Sequence, residues 1–190
     1  MKLETIIRRI ESDDPAIGIG TATAALGILA TRLMIKVARK SNLEDIQKES
    51  EKIKRKLAKL MREDVKAYKD YMEAYKSKDE EKTEQALKYA IETPMKMAEQ
   101  GYKILELSKI AVEKGKKSLA LEVYGASLLG SATVTAALKI VDINLQELND
   151  HKYEKIITPK KKSLAMNSKY AETEIYFKIF SPRSGNSYFE

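Results

Sequence analysis

Residues 12–40, SDDPAIGIGTATAALGILATRLMIKVARK, decide how the chain is read. Asp13, Asp14 and Pro15 form a capped loop, and Gly18-Ile19-Gly20-Thr21 turn into a helix whose first turns carry almost no bulk. Ala22, Ala24, Ala25 and Gly27 let another backbone come close, so this helix is expected inside a bundle. Its basic end, Arg32, Lys36, Arg39 and Lys40, suits the negative pole of the helix dipole. The free amides of a Gly-spaced helix start can receive an anion.

Outward from this stretch, the pattern stays helical. Before it, Leu3, Ile6, Ile7 and Ile10 share one side of a short helix over about residues 2–12. After the break at Ser41-Asn42, Ile46, Ile53, Leu57, Leu60, Met61, Val65, Tyr68, Tyr71, Met72 and Tyr75 mark a second long helix, about 43–77. A third, about 84–114, holds Pro94 and Gly101 inside its pattern, which predicts a kink, and Gly115 reads as its C-cap. A fourth, about 118–150, is again rich in Ala, Gly and Ser. The two thin helices are expected to pack face to face, with the longer charged helices outside.

Length and composition agree with one all-α domain. The chain has 190 residues, 33% charged, with only 8 Gly and 4 Pro, which fits a packed helical core better than disorder or a sandwich. With no Cys and one His, a metal constellation would have to rest on carboxylates alone, and no metal is expected. The Cys count and the lack of a signal peptide point to a cytoplasmic setting. Two apolar stretches, Ala16 to Thr31 and Val123 to Leu138, fall short of the roughly 20 residues a membrane span needs, and read as buried bundle helices.

The net charge of +7 is uneven: from His151 onward eight Lys and Arg face four Glu, which leaves +3 for the first 150 residues. We therefore divide the chain into a bundle, 1–150, and a basic, aromatic tail, 151–190, expected as an arm or short helix packing on the body. The run Lys160-Lys161-Lys162 stands alone, so nucleic-acid binding is the weakest of the readings.

Two acids interrupt apolar helix stripes: Asp64, one turn after Leu60 and one before Tyr68, and Glu122, between Leu119 and Ala126. A carboxylate buried there is costly unless paired or used, and burial lifts its pKa toward neutrality, so both are general acid/base candidates. The competing reading is a salt bridge to a neighbouring helix. Tyr68, Tyr71 and Tyr75 can line an aromatic pocket or simply fill the core, and Asn144 interrupts the last stripe.

Taken together, the short first helix, Ile17-Gly18-Ile19-Gly20-Thr21, Asp64-Val65-Lys66-Ala67-Tyr68 with Met72 and Tyr75, Thr93-Pro94-Met95 and Ile143-Asn144-Leu145 resemble the cyclodeaminase / methenyltetrahydrofolate cyclohydrolase family over about residues 3–150. The resemblance implies an antiparallel up-and-down bundle of four to five main helices that forms a homodimer. It implies a tetrahydrofolate derivative as substrate, with no metal and no membrane: either loss of ammonia from 5-formimino-tetrahydrofolate or hydrolysis of the methenyl form. The site would comprise Asp64 and Glu122 as proton carriers, with Gly18, Gly20, Thr21, Tyr68 and Asn144 holding ligand. Ile19, Thr21 and Leu121-Glu122 depart from the family's Gly, Ser and Ser-Asp, which leaves a non-catalytic, ligand-binding descendant as the alternative.

Overall fold

The computed structural model describes residues 3–181, so Tyr188 and Phe189 of the aromatic tail lie outside the described residues. Six α-helices follow in order: α1 Leu3–Ile10, α2 Ile19–Ser41, α3 Glu44–Ser77, α4 Glu80–Lys114, α5 Ala120–Glu147 and α6 His151–Phe180, with one 3-10 turn, Lys117–Leu119, before α5. No strand occurs among the described residues.

Each reversal has a local cause. Asn42 takes a left-handed conformation, φ 58°, to close α2, a geometry Asn tolerates well. Lys78 does the same for α3 at φ 56°, which its Cβ makes less comfortable. The Asp79 carboxylate then caps α4 by accepting from the Lys82 amide, and Asp150 caps α6 by accepting from Lys152 and Tyr153. Gly115 ends α4 in an extended conformation, φ −82°, ψ 169°, so its role there needs no left-handed backbone.

Helices α2 to α5 form an antiparallel ring around Met34, Leu57, Ile91, Met97, Ile104, Leu105, Val123 and Val134, all nearly inaccessible. The expected face-to-face contact of the two thin helices is present but is not the tightest one. At Gly125 an added Cβ would meet Leu33 of α2 at an ordinary 3.6 Å. The closest approach is between α4 and α5, where a Cβ on Gly101 would stand 2.9 Å from the Gly130 carbonyl oxygen and one on Gly130 would stand 3.2 Å from that of Gly101. A Cβ on Gly27 of α2 would stand 2.7 Å from a Leu57 methyl of α3 and 3.3 Å from the Thr133 side chain of α5, neighbours that can shift where a backbone cannot.

The last helix is longer than an arm. α6 runs for 30 residues and lays Ile157, Ala171, Ile175 and Ile179 into the core alongside α4 and α5. Lys109–Glu174, 2.8 Å, ties it to α4, and Lys161 pairs with Asp142 of α5. Phe180 stacks edge-on against Tyr124 at 5.0 Å.

Candidate functional site

The start of α2 is unlike that of the other α-helices. Its N-cap is Gly18, no side chain caps it, and its first turn holds no acid, whereas α1, α3, α4, α5 and α6 each place at least one Glu or Asp there. Asp14, in the loop before it, closes its own turn, accepting from the Ala16 amide at 3.0 Å and, through its carbonyl, from Ile17 at 2.9 Å. The positive pole of α2 is therefore left without local compensation.

What stands beside it is Asp64. Its carboxylate fills the space where a Cβ of residue 20 would be, so any larger residue at that position would have to push the Asp64 side chain aside. Among the described residues no hydrogen bond or ion pair satisfies the carboxylate, and burial alone pushes its pKa up to about 6. A group titrating there is divided between acid and base near neutral pH, the property a proton carrier needs. Next to it, Thr21 is 1% exposed, and its hydroxyl has no partner among the described residues. Gly20 and Asp64, predicted separately from α2 and α3, thus meet at one corner, with Thr21 the next residue along α2 and Gly18 exposed at the rim. Tyr68 is half-buried one turn beyond Asp64 on α3.

A second irregularity lies at the same end of the bundle. Pro94 is buried within α4 and has no N–H, so the Ala90 carbonyl lacks its helical donor. Asn144 of α5 supplies one, its Nδ2 donating to that carbonyl at 2.8 Å. Thr93, 1% exposed, donates to the Tyr89 carbonyl at 3.0 Å. The Asn144 amide group, read from sequence as a ligand contact, is thus engaged with the proline turn. The signal that could have revealed this partnership is Pro94 itself, which guarantees an orphan carbonyl four residues earlier.

Glu122 is not brought to this corner. It pairs with Lys36 at 2.7 Å, and that hydrogen bond from the ammonium holds its carboxyl below the usual range. Lys36 lies 16 residues along α2 from Gly20, a separation of about 24 Å at the ordinary helical rise. The two acids therefore serve different places. Of the aromatic positions, Tyr71 packs against the core and Tyr75, 63% exposed, leans on it at 6.1 Å. Tyr75 lines an open hollow of about 610 Å³ with Glu80, Leu87 and Glu147, and a larger one of about 840 Å³ lies between α5 and α6 around Asp142, His151 and Lys161. Neither hollow is lined by Asp64 or Gly20. No group of three or more His, Asp or Glu side chains is placed to hold a metal ion among the described residues.

Comparison with known proteins follows the same lines. No curated protein sequence matches the chain. Among solved structures, the formiminotetrahydrofolate cyclodeaminase of Thermotoga maritima superposes with a TM-score of 0.91 at 23% identity, over 94% of this chain and 96% of that one, a likeness of fold. The family profile described as formiminotransferase-cyclodeaminase matches residues 2–163, which takes in the Gly turn, Asp64, Pro94 and Asn144. The chain belongs to the formiminotransferase-cyclodeaminase family.

Proposed function

We propose that this protein acts on the one-carbon bridge of a tetrahydrofolate derivative, with Asp64 as the single proton carrier. The observation that supports it is a half-buried, unpartnered carboxyl poised at about 6 against the uncapped start of α2. In the cyclodeaminase direction, N10 attacks the carbon of the protonated formimino group, –CH=NH2+, its proton passes to the Asp64 carboxylate, and the same group returns that proton to the nitrogen, which departs as NH3 while the positive charge stays on the methenyl bridge. The products are the 5,10-methenyl form and ammonia. One carboxyl suffices because the proton only moves from one nitrogen to the other, so Glu122 is not required. In the cyclohydrolase direction, Asp64 takes a proton from the water that opens the methenyl bridge. Gly18, Gly20 and Thr21 would receive an anionic or carbonyl group of the ligand at the helix start, and Tyr68 offers a flat surface to the pterin.

The near-ultraviolet absorbance of the methenyl form reads both directions. Supplied with 5-formimino-tetrahydrofolate, the protein should raise it faster than buffer; supplied with the methenyl form, a cyclohydrolase should lower it. Asp64→Asn should abolish either change, and Gly20→Ala, which drives a methyl into the Asp64 carboxylate, should cut it by about a hundredfold. The placement of Glu122 far from Asp64 favours one other reading, a binder without turnover. Calorimetric folate binding with no absorbance change between about pH 6 and 8, where such a carboxyl acts, would establish that reading and overturn the enzymatic one.

A further inference from the structure

We propose that Asn144 is a positioning residue for the Asp64 corner, because it supplies across the α4–α5 contact the N–H that Pro94 withholds from the Ala90 carbonyl. The role rests on the functional reading above, but the hydrogen bond and the proline do not.

The geometry is specific. Ala90 and Pro94 are spaced i and i+4, so proline removes the donor and its ring crowds that same carbonyl. The Asn144 side chain, 54 residues away, meets the carbonyl at 2.8 Å. The neighbouring Tyr89 carbonyl also accepts from the Thr93 hydroxyl at 3.0 Å, so side chains brace this turn where the backbone ladder is interrupted at Pro94. This turn is level with Asp64. The Lys66 ammonium lies 5.9 Å from the centre of the Tyr89 ring, which sets these two residues at about the same level of the antiparallel pair α3 and α4. Moving two residues toward the start of α3, to Asp64, therefore corresponds to moving two residues forward along α4, to Ile91, within one turn of Thr93 and Pro94.

A carbonyl left without a donor in such a place draws water or moves toward it. With Asn144 removed, the turn loosens, water reaches the Asp64 side of the bundle, and the burial that sets the state of that acid weakens. Asn144 thus acts on the chemistry through α4, without touching the substrate.

The test is a double-mutant cycle in the full chain, with Asn144→Ala, Pro94→Ala and the pair, read by thermal unfolding and by carbon NMR titration of the Asp64 carboxyl. Asn144→Ala alone should lower the unfolding midpoint by about 5 °C and bring the Asp64 midpoint down by at least about half a pH unit. In the Pro94→Ala background, where the introduced alanine restores the backbone donor, the same substitution should have less than half of either effect. If Asn144→Ala does not fold and the double variant does, the rescue supports the proposal. Equal effects in both backgrounds would overturn it, since Asn144 would then act on something other than the proline turn. Destabilisation with an unmoved Asp64 titration would also overturn it, leaving a purely structural contact. Neither readout needs turnover, so absence of folate chemistry in the wild-type protein would count against the proposed function alone.

Discussion

Asp64 is held against its own preference. Its folded-state pKa of about 6 lies above the 3.8 of a free side chain, so the folded protein binds this proton more tightly than the unfolded chain does. Stability from this group is therefore greatest below about pH 4 and declines as pH rises through about 6, by up to about 3 kcal/mol in all. Asp64→Asn should consequently raise the unfolding free energy at pH 7.5 by as much as about 3 kcal/mol while eliminating turnover, and the gain should fade by pH 4.5, as denaturant titrations at the two pH values will show. Equal stability of the two proteins at pH 7.5 would mean that the carboxyl is better solvated than its position indicates. The same rule of reading, an acid inside an apolar stripe, marked both Asp64 and Glu122, yet the structure gives them different surroundings, Asp64 without a partner among the described residues and Glu122 paired with Lys36, and the reason is physical. α3 is strongly amphipathic, so its stripe defines a buried face. α5 is apolar nearly all round, with Leu121 57% and Leu128 40% exposed, so an interruption of its pattern says nothing about which way the acid points.

Among the helices, the glycines divide into those that a neighbouring backbone requires and those that merely sit in a helix. Gly101 faces the Gly130 carbonyl, which cannot swing aside, and Gly101→Ala should cost about 1–3 kcal/mol in denaturant unfolding. Gly125 faces only a Leu33 methyl at ordinary distance, and Gly125→Ala should instead stabilise by about 0.5–1 kcal/mol, the difference in helix propensity. Reversal of the two signs would contradict the packing described. The order of α1 to α5, and the breaks at Asn42 and Gly115, were legible because caps, turns and 3.6-residue periodicity are local. Which helix meets which was not: a lone glycine among the larger residues of α4 carries no mark of its partner. Asn144 is a half-legible case: Pro94 marks the orphan carbonyl of Ala90, but nothing local says that its donor comes from 54 residues away.

At the scale of the molecule, α2 and α5 are long and apolar enough to cross a membrane by composition alone, yet only 50% and 44% of their apolar windows are buried in the bundle. The remainder forms a face. Contacts of Gly27 with Thr133 and of Leu33 with Gly125 bracket Leu29 and Leu128, setting these two 40% exposed leucines at one level on adjacent helices, with Leu121 and Ile19 further along. An apolar surface of this kind is what a second copy would cover, and we propose a homodimer through it. Light scattering should give twice the 21.5 kDa chain mass for the wild type and the single mass for Leu29→Asp/Leu128→Asp, with the helical circular-dichroism signal retained. A wild-type protein that scatters as one chain at tens of micromolar would sink the idea. The final helix was the least legible large element. Its mean composition is that of a basic tail, and its four deeply buried aliphatic residues become a core face only once α4 and α5 are there to receive them.

The bare start of α2 has a kinetic consequence. A helix that begins without a cap frays first, so the amides of Ile19, Gly20 and Thr21 should exchange with solvent deuterium sooner than those of the capped starts at Asp79 and Asp150. A ligand that supplies the missing acceptor would act as the cap. Its arrival would be recorded as slowed exchange confined to one turn, a signature of occupancy that does not depend on whether any bond is made or broken.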